Sequence, residues 1–347
     1  MTRYYKGRFV TAAAVAALIL LFMASSAVQG QAEARLQAAR QKGAVVWYTV
    51  VFPTQLREAL EKRFQERTGL RLVTYSGGGG QVVGRLQTER QTGAHNVDVI
   101  DLGDLQVMNG LVKEGIFKTF VPAGVDMAGT LCGSDPQNTY FGFLTWVLVL
   151  EYNTNVLQPN AVPKSFDDLV DDRYKGKIVI ADPARSTSGL GLIKAMVTAK
   201  GWGWIERFVR NDPLVMSISS GIQPAVITGE RPIAVMTSDL FSKTAQDKAP
   251  VALATNEFLF ASPGVAAILK DGPNPEGGEI FVEFLLSKEA QDIVRAFGAY
   301  SCRSDVAPPF GLPPLKEAKL RFPLAPTIDL EPREVGDRFH HLLRTAK

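Results

Sequence analysis

Short apolar runs alternate with amphipathic stripes along most of the chain. Residues 33–42 predict a short amphipathic helix, and residues 44–51 (AVVWYTVV) are rich in β-branched and aromatic side chains, the pattern of a buried strand. Residues 54–68 carry Leu56, Leu60 and Phe64 four apart, the stripe of a helix lying on a core, and Gly69 ends it. Residues 70–75 read as a second strand, 76–80 as a loop, 81–92 as a helix, 97–101 as a third strand and 104–114 as a third helix. Strands without polar alternation, separated by helices, predict a parallel sheet covered on both faces.

The pattern breaks at residues 140–152 (YFGFLTWVLVLEY), an apolar β-type run long enough to cross between two lobes. An acidic helix at 165–172, a strand at 177–181, helices at 188–199 and 203–210, a strand at 214–218, a helix at 222–229 and a strand at 232–237 repeat the α/β theme. Residues 258–269 predict a strand returning across the hinge, with helices at 276–287 and 289–297 packing back on the first lobe. Pro308, Pro309, Pro313 and Pro314 mark a loop before a C-terminal helix at 332–345. The expected division is a first lobe of 33–143 plus about 258–310, a second of about 144–257, and a C-terminal segment of 311–347 packing on the lobes.

The first 27 residues have a different pattern. Arg3, Lys6 and Arg8 precede an apolar stretch at 9–23, then small residues through Ala27. This is the order of a secretory signal, with cleavage after Ala27, Gly30 or Ala32, and the stretch falls short of the ~20 residues that span a bilayer. A soluble protein exported across one membrane is expected. Without those three bases the 38 Lys and Arg fall to 35, equal to the 35 Asp and Glu. A neutral mature chain offers no footprint for nucleic acid. Two cysteines exclude a four-thiolate metal site; in an oxidising compartment Cys132 and Cys302 are expected to pair, the alternative being two buried thiols.

Six phrases resemble the family 1 extracellular solute-binding proteins, the periplasmic receptors of ABC importers, in the branch that takes ferric iron, phosphonates or thiamine. They are VVWYTVVFPTQLREALEKRFQERTGLRLVTYSG, NVDVIDLGD, YNTNVLQPNAVPKSFDDLVDDRYKGKIVIADPARSTSGLG, VITGERPIAVM, FVEFLLSKEAQDIV and GAYSCRSDV, all in family order. The resemblance implies the type 2 two-lobe fold, each lobe a mostly parallel sheet with helices on both faces, joined by crossing hinge strands and closing on a solute. It also implies the permease subunits of an importer as partners, a monomer, and no cofactor.

Ser76, Gly77 and Gly78 lie in a glycine loop between a strand and a helix, where backbone N–H groups can approach an anion. Gly79 and Gly84 have phosphate-loop spacing, but Arg85-Leu86 stands in place of the Lys-Ser/Thr that nucleotide hydrolysis needs. Thr187, Ser188 and Gly189 open a helix after Asp182, and hydroxyls plus first-turn N–H groups suit an anion; Arg185 could pair with it. Capping alone would explain the same hydroxyls. Family order adds Ser219 and Thr237, and Asp239 could accept from an amine or hydroxyl or merely cap a helix. Phe52 and Trp146 could wall the cleft. Where the iron binders have a His, a Glu and two tyrosines, this chain aligns Phe52, Gly103, Asp239 and Leu240, so iron held by protein ligands is not expected, whereas iron brought by a chelator stays open. Of the three histidines, His340 and His341 read as surface residues.

The expectation is therefore a binding protein for a small organic anion, namely a phosphonate, phosphate ester or carboxylate, with room for an amine. A sensor subunit is an alternative within the fold. An exported hydrolase is the alternative of another class, but G-x-S-x-G and H-E-x-x-H are both absent.

Overall fold

The computed structural model describes residues 30–123, 132, 135–217, 221–321 and 331–346; the proposed signal segment lies outside them. A helix through residues 30–42 (α1) leads into strand β1, Val45–Thr49. Then come α2 (Thr54–Thr68), β2 (Leu72–Ser76), α3 (Gly79–Gln91), β3 (Val99–Leu102) and α4 (Leu105–Lys113). The long apolar run is β4, Tyr140–Asn153. It is followed by β5 (Ile178–Ala181), α5 (Thr187–Lys200), α6 (Trp202–Arg210), β6 (Leu214–Met216), α7 (Ile222–Ile227), β7 (Ile233–Thr237), α8 (Ser238–Gln246) and β8 (Val251–Leu253). The return strand is β9, Glu257–Ile268, followed by α9 (Pro275–Leu286), α10 (Lys288–Ala296), β10 (Tyr300–Ser301), β11 (Lys319–Arg321) and α11 (Pro332–Thr345).

Among the described residues these strands form one sheet of 11, its main path ordered β2-β1-β3-β9-β4-β7-β5-β6. β1 pairs parallel with β2 and β3, and β5 pairs parallel with β6 and β7. β9 is antiparallel to β3 and β4, and β4 is antiparallel to β7. Each lobe is thus a mostly parallel sheet, and β4 and β9 run through both. Alternation along these strands feeds a core on each face. Trp47 joins Phe64 and Phe281 on one side of the first lobe, and Tyr48 joins Ile100 and Met108 on the other. Further along, Leu148 and Leu150 of β4 join Trp204 and Phe208, while Val147 and Val149 join Met236 and Phe258.

The crossing zone is irregular. The register of β4 on β9 shifts between Gly142 and Leu144 and again between Trp146 and Val147, and Pro263 and Gly264 lie in β9 between these points. Bulges bend a strand, and proline withholds a ladder donor, so the ladder is interrupted where the chain passes between lobes.

Several elements differ from expectation for local reasons. α3 begins two residues early because Gln81 reaches back and its Oε1 accepts the Gly78 N–H at 3.0 Å. The acidic stretch at 165–172 is two 3₁₀ turns, Phe166–Val170 and Asp172–Tyr174, with Phe166, Leu169 and Tyr174 buried. The short strands β8, β10 and β11 carry too few residues to show a period. Cys132 and Cys302 form a disulfide, Cα atoms 5.1 Å apart, closing a separation of 170 residues.

Candidate functional site

Strand polarity places the site. β3 and β4 are both antiparallel to β9, so β1, β2 and β3 run in the same sense as β4 and point their C-terminal ends toward the second lobe. β7 is antiparallel to β4, so β5, β6 and β7 point theirs toward the first. Two sets of strand ends and following helix N-termini therefore face each other across the crossing strands. Ligands of open α/β sheets bind in this position.

On the first lobe, Phe52 follows β1 and is 70% exposed, ahead of a cis peptide bond to Pro53. The loop beneath it is tied down by Asp101, the third residue of β3. The buried carboxylate accepts the Trp47 indole N–H at 2.7 Å and the Val50 N–H at 3.2 Å. The Thr49 hydroxyl is a third partner of that carboxylate, and its oxygen accepts the Val51 N–H at 2.9 Å. Burial pushes the Asp101 carboxyl up to about 7 against these three bonds. Asp101 was not among the expected site residues, although the two acids Asp98 and Asp101 among the apolar residues of VDVID are a sequence signal for buried polar anchors.

The glycine loop is partly used by the chain itself. The Gly77 N–H donates to the Thr49 carbonyl at 3.2 Å, and the Gly78 N–H goes to Gln81. Ser76 is exposed at the end of β2. Gly79 and Gly80 open α3 and line an open depression of about 260 Å³ with Val83, Leu102, Gly103 and Val107. Added Cβ atoms at Gly79 and Gly80 would meet nothing within 4 Å.

On the second lobe, Ser188 is buried in the first turn of α5, its hydroxyl 2.9 Å from that of Ser186. Thr187 begins the helix, and its side chain lies outside the described residues, as does all of Ser219. Gly189 has a packing role. A Cβ there would lie 2.3 Å from the Ala181 carbonyl oxygen, so glycine is required for α5 to sit on the end of β5, whatever approaches from the cleft. Arg185 is exposed, its Nε 3.8 Å from Asp182 Oδ2.

Thr237 ends β7 and precedes α8 without making a side-chain cap bond to it. Asp239, in the first turn, is pushed up by burial, opposed by the Thr237 hydroxyl and the Asp239 and Leu240 N–H groups. Its Oδ1 and the hydroxyl of the fully buried Ser238 lack hydrogen-bond partners. Sequence reading passed over Ser238, which only its place at the strand end marks out. Trp146 lies in the crossing segment of β4 and packs, partly buried, against the first-lobe core. His340 is not a plain surface residue: its Nε2 is 2.8 Å from Asp182 Oδ1.

The family described as bacterial extracellular solute-binding protein matches residues 95–325, more than half of the chain. The chain belongs to this family. Like other ABC-type solute-binding proteins it serves a small-molecule ligand and a membrane permease. This solute-binding protein is 27% identical over 277 residues to a periplasmic protein of Salmonella typhimurium named for 2-aminoethylphosphonate binding, covering 76% of each chain. It is 24% identical over 250 residues to iron uptake protein A1 of Synechocystis sp., covering 67% of this chain and 68% of that one. Its fold is similar to that of iron-bound HitA from Pseudomonas aeruginosa, with a TM-score of 0.66, 20% identity, and coverage of 88% and 99%. Among the described residues, no helix is long and apolar enough to cross a membrane.

Proposed function

We propose that this solute-binding protein captures a small organic anion, a phosphonate, phosphate ester or carboxylate, in the periplasm after removal of an N-terminal signal at 1–27, and releases it unchanged to an importer. The observation that carries the reading is the opposition of two helix N-termini, α3 with its glycines and α5 with its serines, across the crossing strands. The partial positive charge of a helix N-terminus favours an anion held from both sides. Ser76, Gly77, Gly78, Thr187, Ser188, Ser219 and Thr237 are the assigned polar contacts, with Arg185 at the rim. Phe52 and Trp146 are assigned to the walls, and Asp239 to an amine at the far end. The assigned lobes are 33–143 with 258–310, and 144–257. A solute touching both lobes stabilises the closed arrangement over the open one, and the irregular crossing of β4 and β9 is where the bend is absorbed.

Iron delivered with a chelating anion is the second reading, favoured by the relative named for iron uptake. Thermal melting of the mature protein with 2-aminoethylphosphonate, phosphate esters, dicarboxylates, polyamines, thiamine and ferric citrate separates the readings. Saturation at 100 times Kd stabilises by about 2.7 kcal/mol, a readable rise in Tm. A rise with a phosphonate, phosphate ester or carboxylate is expected. A rise with ferric citrate and not with citrate supports the second reading. A rise with thiamine or polyamines alone rejects both.

A further inference from the structure

Residues 182–186 join β5 to α5, and the far C-terminal helix lies on them. Asp182 is nearly buried, and its Oδ1 serves two donors at once. It accepts the Ala184 N–H at 2.8 Å, closing the loop's own turn, and meets His340 Nε2 of α11 at 2.8 Å. One turn earlier on α11, Gly336 lies against Ala184. A Cβ on Gly336 would fall 2.8 Å from the Ala184 Cβ and 3.0 Å from its Cα. Glycine is a poor residue for a helix interior, and this approach is what requires it. On its other side the loop is held where Gly189 presses on the Ala181 carbonyl.

We propose that α11 is a positioning strap for the loop at 182–188, with His340 as the positioning residue and Gly336 as the point of close approach. The proposal deepens the function above, since it rests on that loop holding solute. The seat of α11 does not depend on His340. Val335 and Phe339 are buried in the core that contains Trp204 and Phe208, and the Arg338 guanidinium lies 4.2 Å from the Trp202 ring centroid. Removing the imidazole therefore frees the loop and leaves the helix in place. The strap sets the direction of the first-turn N–H groups of α5 because Asp182 also holds that turn from its backbone, its carbonyl accepting the Ser186 N–H at 2.8 Å.

Hydrogen exchange on the full mature chain tests this in the wild type, His340→Leu and His340→Gln. In His340→Leu, amides at 182–188 exchange roughly tenfold faster, the effect of losing one hydrogen bond to a charged acceptor. In His340→Gln the amide nitrogen takes the place of Nε2 and protection returns. Amides of α11 keep their protection in both. Gly336→Val, which wedges the helix away with His340 intact, accelerates the same loop. Unchanged exchange at 182–188 in His340→Leu, equal loss in the Leu and Gln variants, or uniform loss through α11 and the whole chain overturns the proposal. Calorimetry with 2-aminoethylphosphonate as probe is expected to show weaker binding by His340→Leu and recovery in His340→Gln. Unchanged affinity beside a loosened loop also overturns it. A wild type that does not bind this probe counts against the phosphonate function proposed above, and the exchange result still decides the strap.

Discussion

The Trp47 indole N–H donates to Asp101 Oδ2 at 2.7 Å in the fully buried interior beneath the β1–α2 loop. Indole, hydroxyl and backbone donors converge on one carboxylate there, and the loop that carries Phe52 is built on them.

Burial raises the Asp101 carboxyl from 3.8 to about 7. A carboxyl raised in the folded state binds its proton more tightly there than in the unfolded chain. Folding stability therefore falls as pH rises from about 4 to 7 and is flat above, with an upper size of about 4 kcal/mol. Asp101→Asn removes this component, so urea unfolding should show a shallower decline between pH 4 and 7 than in the wild type. The amide NH₂ also faces a donor, so at pH 4 the variant should be less stable by about 1–3 kcal/mol. An unaltered pH slope would contradict the assignment.

Glu151 of β4 is buried with both carboxylate oxygens unpartnered, opposite Ala234 and Leu253. Burial alone pushes it from 4.5 up to about 8. By the same sign, its effect on stability is absent at pH 4 and grows as a loss up to pH 8, to an upper value of about 5 kcal/mol. Glu151→Gln should match the wild type at pH 4 and exceed its stability at pH 8 and above. Guanidinium midpoints at the two pH values check this, and a Gln variant less stable at pH 9 would contradict it.

Gly189 and Ser188 are neighbours with different expected outcomes. Gly189→Ala drives a methyl into the Ala181 backbone and should cost about 1–3 kcal/mol of stability. Ser188→Ala should weaken binding of whichever anion the melting screen identifies by roughly 5- to 150-fold, the loss of one bond to a charged acceptor. Melting and calorimetry on both variants separate packing from contact. Lost stability with unchanged affinity in Ser188→Ala would move the anion elsewhere.

The Cys132–Cys302 bond closes a loop of 170 residues. On chain-entropy grounds its removal by Cys302→Ser costs about 4–5 kcal/mol, less where the native state gains by relaxing. In denaturant the wild type should show no reactive thiol before reduction and two after it. Two reactive thiols without reductant would show that the bond does not form.

The amino-acid order by itself determined the alternation of strands and helices, the long crossing strand, the cysteine pairing expected of an exported chain, and the solute-binding family. These are legible because period, turn residues and phrase order are local properties of the chain. The glycine and serine loops were legible as candidates for the same reason. Tertiary structure decided what depends on distant partners. His340 is 158 residues from Asp182, and Gly336 and Ala184 are nearly as remote, so no local pattern joins the C-terminal helix to the β5–α5 loop. Gly189 reads in sequence as room for a ligand, and the packing adds a second reason for glycine, since a Cβ there would meet the Ala181 backbone. Asp101 and Glu151 look alike as acids in apolar strands. Only the folded chain brings three donors to one and none to the other, because hydrogen-bond partners and burial are set by how elements pack.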